Sequence, residues 1–469
     1  MKRLNWERLI SSKRIPETKK TNLEKWRSEV ESDYYRIINS ASFRRLQDKT
    51  QVFPLDQSDF VRTRLTHSME VSAIAKFIAR QVCGRIDEMK PYTHEIIETL
   101  ASAALIHDLG NPPFGHFGES AIRNWFATHL DTELFHGKPL STYLRPQELQ
   151  DLLHYEGNAQ SLRIVTHLHH LNGKNGMHLT SGVMDTIIKY PCNSLESLAE
   201  KQKPKEERSL LRKKIGYYAS EETVFHQIKA NTDTIGIRNP LTYILEAADD
   251  LAYVFSDLED GYKKGLYTID DLKQVLKDSD DQAGLDKLSQ QLTYPDTSHL
   301  KEYYPYDEHK QAVFQWLTLK QLYCISVISD AFCDHYEEIM TGTFASELIA
   351  VCKEAKVILN LKRFAFNKIY NTAAIIHLEL MGNEIITYLM NCFIKALIHF
   401  DSSQPLSEIE EKYVSMLSSN YLHHYFDATS NLDENEKLYY RLLMGADFIG
   451  GMSDGYAKSL YQKLRGIAF

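Results

Sequence analysis

The sequence predicts an all-α fold, and three observations carry that expectation. Apolar residues recur at helical spacing through most of the 469 residues, as at Val71, Ile74, Phe77, Ile78 and Val82 or at Ile386, Leu389, Cys392, Phe393 and Leu397. No segment beyond short pieces alternates with a period of two, and no internal repeat is visible. The apolar-faced segments of 308–400 have the length of helices rather than strands.

Composition narrows the class. The apolar and charged fractions are those of a soluble globular protein. No apolar run reaches the roughly 18–20 residues that a membrane span needs. Met1 to Glu7 is charged and leads into no apolar segment, so no signal peptide is expected. Six scattered cysteines without a C-x-x-C pair read as reduced thiols of a cytoplasmic protein, not as a zinc site or a disulfide framework. The net charge of −9 argues against wholesale nucleic-acid binding. Residues 1–66 nevertheless hold 15 lysines and arginines against 9 aspartates and glutamates. That suits a polyanionic substrate, although a solvated helix face explains most such charges equally well.

In chain order, residues 1–31 read as an N-terminal arm with a short helix. Asp33 to Leu46 has helical spacing at Tyr34, Tyr35, Ile37, Ile38 and Phe43 and runs into a polar loop ending near Phe53. A helix over 68–86 presents Val71, Ile74, Phe77, Ile78 and Val82 to the core, with Arg64 and His67 one turn apart at its start. Ile96 to Ile106 is an apolar helical run that ends in His107-Asp108. The chain then breaks at Gly110 and Pro112-Pro113, where prolines stiffen the turn and glycines allow a close backbone approach. A helix over 120–130 follows. Residues 131–150 read as a surface excursion, 151–171 as one helix, and 172–192 as a turn and a helix ending in Lys189-Tyr190-Pro191. A helix spans 239–263. The catalytic core is expected over 32–264 and a polar linker or insertion over 265–307. A C-terminal helical region over 308–469 is expected to pack on the core and in an oligomer interface.

The chemistry centres on 107–119. Adjacent His107 and Asp108 on a helix point about 100° apart, so both reach one metal only at the helix end. Imidazole plus carboxylate suits a divalent first-row metal or Mg²⁺. His67 and Asp249, both on apolar helices, are the further candidate ligands. His167, His169 and His170 look like a metal tract, but their spacing spreads them around a helix, so a surface cluster is expected. His116 and Glu119 stand at i, i+3, and a histidine bonded to a carboxylate suits proton transfer near neutral pH. Asp249, Tyr253 and Asp257 share one helix face, whereas Asp250 lies on another. The basic 360–368 segment (Lys362, Arg363, Lys368) reads as a solvated helix face rather than a nucleic-acid patch.

The order His67 … His107-Asp108 … Asp249 is the ligand pattern of HD-domain phosphohydrolases. The stretches FRRLQDKTQVF (43–53), RTRLTHSMEV (62–71), HDLGNPPFGHFGE (107–119), EAADDLAYVFSDLEDG (246–261) and DFIGGMSDGYA (447–457) together resemble the bacterial deoxyguanosine triphosphate triphosphohydrolases (dGTPases). The resemblance implies an HD-domain helical bundle elaborated with additional C-terminal helices. It implies hydrolysis of dGTP or other dNTPs at the α-phosphorus, with Mn²⁺ or Mg²⁺ held by His67, His107, Asp108 and Asp249. His116, oriented by Glu119, would transfer a proton or activate the attacking water. Gln51 would meet the sugar or base, Arg64, Lys189 and Lys214 the triphosphate, with Tyr190 packed nearby. Tyr253 would pack on the deoxyribose and Asp257 accept from its 3′-hydroxyl, while Glu156 and Asn158 lie close to the substrate. Homo-oligomers, hexameric or tetrameric, and an effector role for single-stranded DNA or a second dNTP follow by the same resemblance. Ser453 stands where threonine is usual and Gly455 is unusual, which leaves a side-chain contact at 455 in doubt. Another HD phosphohydrolase, acting on nucleoside monophosphates or cyclic dinucleotides, would not need Lys189-Tyr190-Pro191, Tyr253 or Asp257. A nucleotide or DNA sensor with a relict site would not need the intact ligand set.

Overall fold

A computed structural model describes residues 3–17, 27–53, 55, 61–169, 176–292 and 308–467. Among these the fold is all-α, and the one sheet is a two-stranded antiparallel pair, Leu134–Phe135 with Lys138–Pro139. The core is a bundle in which helix Arg64–Arg85 packs against Thr93–Ile106, Pro240–Lys263 and Glu308–Asp334. Its start is set by Thr63 and Thr66, which cap each other's backbone amides and so place His67 in the first turn. Helix Pro240–Lys263 starts at the Asn239 cap, with Pro240 at its first position.

The apolar stripe of helix Arg64–Arg85 is buried at Val71, Ile74, Ile78 and Val82, but Phe77 is 45% exposed. At 100° per residue it is turned about 120° from Val71, off the stripe. The expected helix over 33–46 is two, Glu29–Ile38 and Ala41–Arg45, divided where Ser40 caps the second. The expected helix over 151–171 is also divided. Helix Pro146–Leu153 ends, His154-Tyr155-Glu156 turns the chain, and Gly157–Arg163 runs into a π-helical turn at Ile164–Leu168. Leu152, Tyr155, Ala159 and Leu162 are all buried, so the apolar period continues across the break and conceals it.

Within 265–307, helices Ile269–Asp278 and Gln282–Leu292 bury Leu272, Leu276 and Leu288 against their neighbours. Trp316 Nε1 donates to the Gly284 carbonyl at 2.9 Å. Residues 293–307, like His170, lie outside the described residues. No described helix is long and apolar enough to cross a membrane.

The C-terminal helices Ala373–His399 and Lys437–Gly450 pack on each other, and the first also covers Gly115–His129. They are fixed to the core by a buried ion pair. Arg163, 1% exposed, reaches Asp447 at 2.7 Å and Glu221 at 2.7 Å, and Gln160 Nε2 donates to Asp447 at 2.8 Å. Removing one partner of such a group leaves buried charge uncompensated. Arg163→Ala is therefore expected to lower the free energy of urea unfolding by about 3–5 kcal/mol, and a loss below about 1 kcal/mol would show the cluster to be dispensable.

Candidate functional site

The break after helix Thr93–Ile106 places His107 at the helix C-cap and Asp108 just beyond it. The helix end is where the two side chains can converge. His107 Nε2 lies 3.5 Å from Asp108 Oδ1 and 3.4 Å from Asp249 Oδ1, and His67 Nε2 lies 3.0 Å from the same Asp249 oxygen. Two imidazoles and two carboxylates thus meet between three helix segments. His107 Nδ1 bonds the Ala104 carbonyl at 2.7 Å, which fixes that nitrogen as the donor. Its buried Nε2 has no hydrogen-bond partner among the described residues and faces the Asp108 and Asp249 carboxylates, the disposition of a metal ligand. Among the described residues, His67, His107 and Asp108 form the one histidine, cysteine or carboxylate group able to hold a metal ion. Asp249 joins it through the contacts above.

Charge is balanced by mutual contact. Burial disfavours the His107 imidazolium, yet Asp108 and Asp249 outweigh it and raise the ring to about 9. Burial likewise opposes the Asp249 charge, and His107 and His67 hold that carboxyl well below its ordinary range. Arg64 Nη1 reaches Asp108 Oδ2 at 2.6 Å, while the Asn111 amide donates to Oδ1 at 2.7 Å. Each oxygen of Asp108 is thereby held by its own donor.

A cavity of about 710 Å³ opens from this cluster. Gln51, Arg64, His107, Asp108, His116, Lys189, Tyr190, Lys214, Asp249, Tyr253 and Asp257 all line it, as do Glu156 and Asn158. His67 and Glu119 stand behind the wall, where they hold Asp249 and His116. The two lysines come from separate loops and are each paired with a carboxylate, Lys189 with Glu246 at 3.0 Å and Lys214 with Glu156 at 2.9 Å. Tyr190 is buried beside Lys189.

His116 Nδ1 lies 3.0 Å from Glu119 Oε2, with the His116 side chain 71% exposed and Glu119 buried. The other Glu119 oxygen accepts from the Gly157 amide at 2.8 Å. A Cβ at Gly157 would come within 2.5 Å of Asn111 Oδ1 and 2.9 Å of Glu119 Oε1, so only glycine permits this approach. Phe114, in the left-handed region at φ 64°, turns the chain into helix Gly115–His129, and its amide donates to Asp454 at 3.0 Å.

Asp249, Tyr253 and Asp257 follow one another along the cavity wall. The Tyr370 hydroxyl donates to Asp257 at 2.6 Å and also bonds the Tyr253 hydroxyl, with the two rings parallel at 6.0 Å. Burial pushes the Asp257 carboxyl well above its ordinary range. Tyr370 sits in a π-helical turn, Phe366–Tyr370, and sequence reasoning missed it because its partners are more than 110 residues away. Lys362 was expected on a solvated face. It is exposed, as expected, and also pairs with Asp250 at 2.7 Å and reaches the cavity, while Lys368 pairs with Asp271 at 2.9 Å. His167 packs against Glu221 and His424, and His169 is buried rather than on the surface. Ser453 caps helix Asp454–Leu464, and a Cβ at Gly455 would meet none of the described residues within 4 Å.

The HD domain family matches residues 64–253, a span that contains His67, His107, Asp108 and Asp249. The chain is 42% identical over 482 aligned positions to a deoxyguanosinetriphosphate triphosphohydrolase-like protein of Listeria monocytogenes serovar 1/2a (strain ATCC BAA-679 / EGD-e), covering 99% of this chain and 100% of that protein. It matches the protein of the same description from Listeria innocua serovar 6a (strain ATCC BAA-680 / CLIP 11262) to the same extent. A likeness of that strength over nearly every residue places the chain in the deoxyguanosinetriphosphate triphosphohydrolase-like family of HD-domain proteins.

Proposed function

We propose that the protein hydrolyses dGTP, and other dNTPs where the pocket admits the base, to the deoxynucleoside and inorganic triphosphate. The observation that carries this reading is one cavity joining a His/His/Asp/Asp cluster to Arg64, Lys189 and Lys214 and to the linked Tyr253, Asp257 and Tyr370. Phosphodiesterases acting on smaller or cyclic substrates have no use for the last two features. A divalent metal, Mn²⁺ or Mg²⁺, held by His67, His107, Asp108 and Asp249 would polarise the α-phosphoryl group and lower the pKa of a bound water.

The chain's own residues supply the rest. Arg64, Lys189 and Lys214 neutralise the triphosphate, the lysines exchanging Glu246 and Glu156 for phosphate oxygens. His116 donates from Nδ1 to Glu119, which leaves Nε2 free to exchange a proton at the cavity. That proton goes to the leaving deoxynucleoside oxygen or comes from the attacking water. Tyr253 packs on the deoxyribose and Asp257 accepts from the 3′-hydroxyl, an aromatic plate under the sugar that would select against a 2′-hydroxyl. Gln51, whose Oε1 is buried without a partner, meets the sugar or base. The reading carries with it a cytoplasmic role in dNTP pool control, a homo-oligomeric state, tetramer or hexamer, and regulation by a second dNTP or single-stranded DNA.

Incubation with Mn²⁺ and each dNTP, alone and mixed, followed by anion-exchange chromatography, is expected to yield tripolyphosphate and deoxyguanosine from dGTP, and none with His107→Ala. Turnover confined to the mixture would identify an allosteric dNTP hydrolase. Stepwise release of orthophosphate would move the assignment to another HD phosphohydrolase, and binding without turnover to a sensor.

A pH dependence follows from His107. The metal-free ring is protonated below about 9, and a ligand imidazole must be neutral. Metal binding therefore expels a proton at neutral pH, and affinity rises with pH until about 9. Titration calorimetry of Mn²⁺ is expected to show tightening of up to about tenfold per pH unit. The apparent enthalpy should also depend on the buffer. Affinity independent of pH between 6.5 and 8.5 would count against His107 as a ligand.

A further inference from the structure

We propose that Lys49 is a positioning residue for the metal end of the cavity, a pin that fixes both residues holding the Asp108 carboxylate. The inference rests on the metal reading above. Lys49 is 2% exposed. Its ammonium donates to the Asn111 carbonyl at 2.5 Å and to the Gly450 carbonyl at 2.9 Å. Among the described residues neither acceptor is a carboxylate. Burying an ammonium whose direct partners are carbonyls opposes folding, and here burial pushes Lys49 down to about 7 although the Asp454 and Asp108 carboxylates attract it. A side chain placed this way needs a local reason, and its contacts supply one.

The Asn111 carbonyl belongs to the same residue whose side-chain amide donates to Asp108 Oδ1 at 2.7 Å. The Lys49 carbonyl accepts from the Arg64 amide at 2.8 Å, and Arg64 holds Asp108 Oδ2 at 2.6 Å. One residue thus anchors both donors to one carboxylate, by its side chain on one side and its backbone on the other. The Gly450 carbonyl gives the pin its fixed end. It is among the last carbonyls of helix Lys437–Gly450, where the helix dipole is negative and a cation is stabilised. That helix is itself locked to the core through Asp447 and Arg163. Nearby, Asp454 accepts from the Thr50 amide and hydroxyl and from the Phe114 amide, holding the 49–50 segment and the 108–114 turn together. The Ala446–Ala457 stretch therefore acts on the metal end through Lys49, without touching it.

The test is Mn²⁺ affinity, read by electron paramagnetic resonance on the full chain, for wild type, Lys49→Met, Asn111→Ala and the double variant. Each single change is expected to weaken Mn²⁺ binding by about 10- to 100-fold, with the fold retained by circular dichroism. Because both act through one chain of contacts, the double variant is expected to be no weaker than the worse single one. Asn111→Ala leaves Lys49 and its acceptors in place, so wild-type affinity in that variant overturns the proposal even where Lys49→Met fails to fold. Wild-type affinity in either single variant overturns the proposal, as do losses that multiply in the double variant. Absence of Mn²⁺ binding by the wild-type chain overturns the metal reading and this proposal with it; wild-type binding with unaffected variants overturns this proposal alone.

Discussion

Opposite charges buried in contact at the end of one helix set the terms for the whole structure. His107 and Asp108 are neighbours in sequence and would diverge on a continuing helix. The chain breaks immediately after them, and the carboxylate of Asp249 comes within 3.4 Å of His107 and 3.0 Å of His67 from a helix 140 residues downstream. None of these groups is stable buried alone, because each carries or attracts charge away from water. Together with Arg64 they neutralise one another, and the helices that bring them must keep their register. Capping by Thr63 and Asn239 sets that register at the two helix starts.

The second requirement is a rigid turn. Residues 108–114 carry Asp108 and Asn111 and lead to His116, and they are held internally by turn bonds such as the Asn111 amide on the Asp108 carbonyl at 3.3 Å. Their stiffness comes from prolines within and from partners outside: Asp454 on the Phe114 amide, Lys49 on the Asn111 carbonyl, and the Ser161 hydroxyl on the Gly110 amide. These partners lie on three different parts of the chain. The C-terminal helices, remote in sequence from the HD domain, are in this sense part of the site's foundation, and the buried Arg163–Asp447 pair keeps them there.

What could be read from the sequence was whatever local periodicity encodes. Asp249, Tyr253 and Asp257 at i, i+4 and i+8 announce a shared face, and they do line one wall. His107-Asp108 followed by glycine and proline announces a helix end. All-α architecture follows from the same periodicity. Lys49, Asp454 and Tyr370 left no such mark, because their meaning lies in contacts across tens to hundreds of residues. The break at His154–Glu156 was invisible for the opposite reason: the apolar pattern runs on through it. Phe77 and the helices of 269–292 show the limits of a coarse reading, since one residue off a stripe is solvent-facing and a polar stretch can still bury leucines at helical spacing, as at Leu272 and Leu276.

The central claim is that His67, His107, Asp108 and Asp249 together bind one divalent metal beside the triphosphate. Anomalous diffraction at the manganese edge, from crystals of the His116→Ala variant grown with Mn²⁺ and dGTP, tests it most directly. A single strong peak within ligand distance of all four side chains, with a phosphate oxygen completing its coordination, is the expected result. A peak held by other residues, or nucleotide bound in the cavity with no peak at the four, would contradict the account.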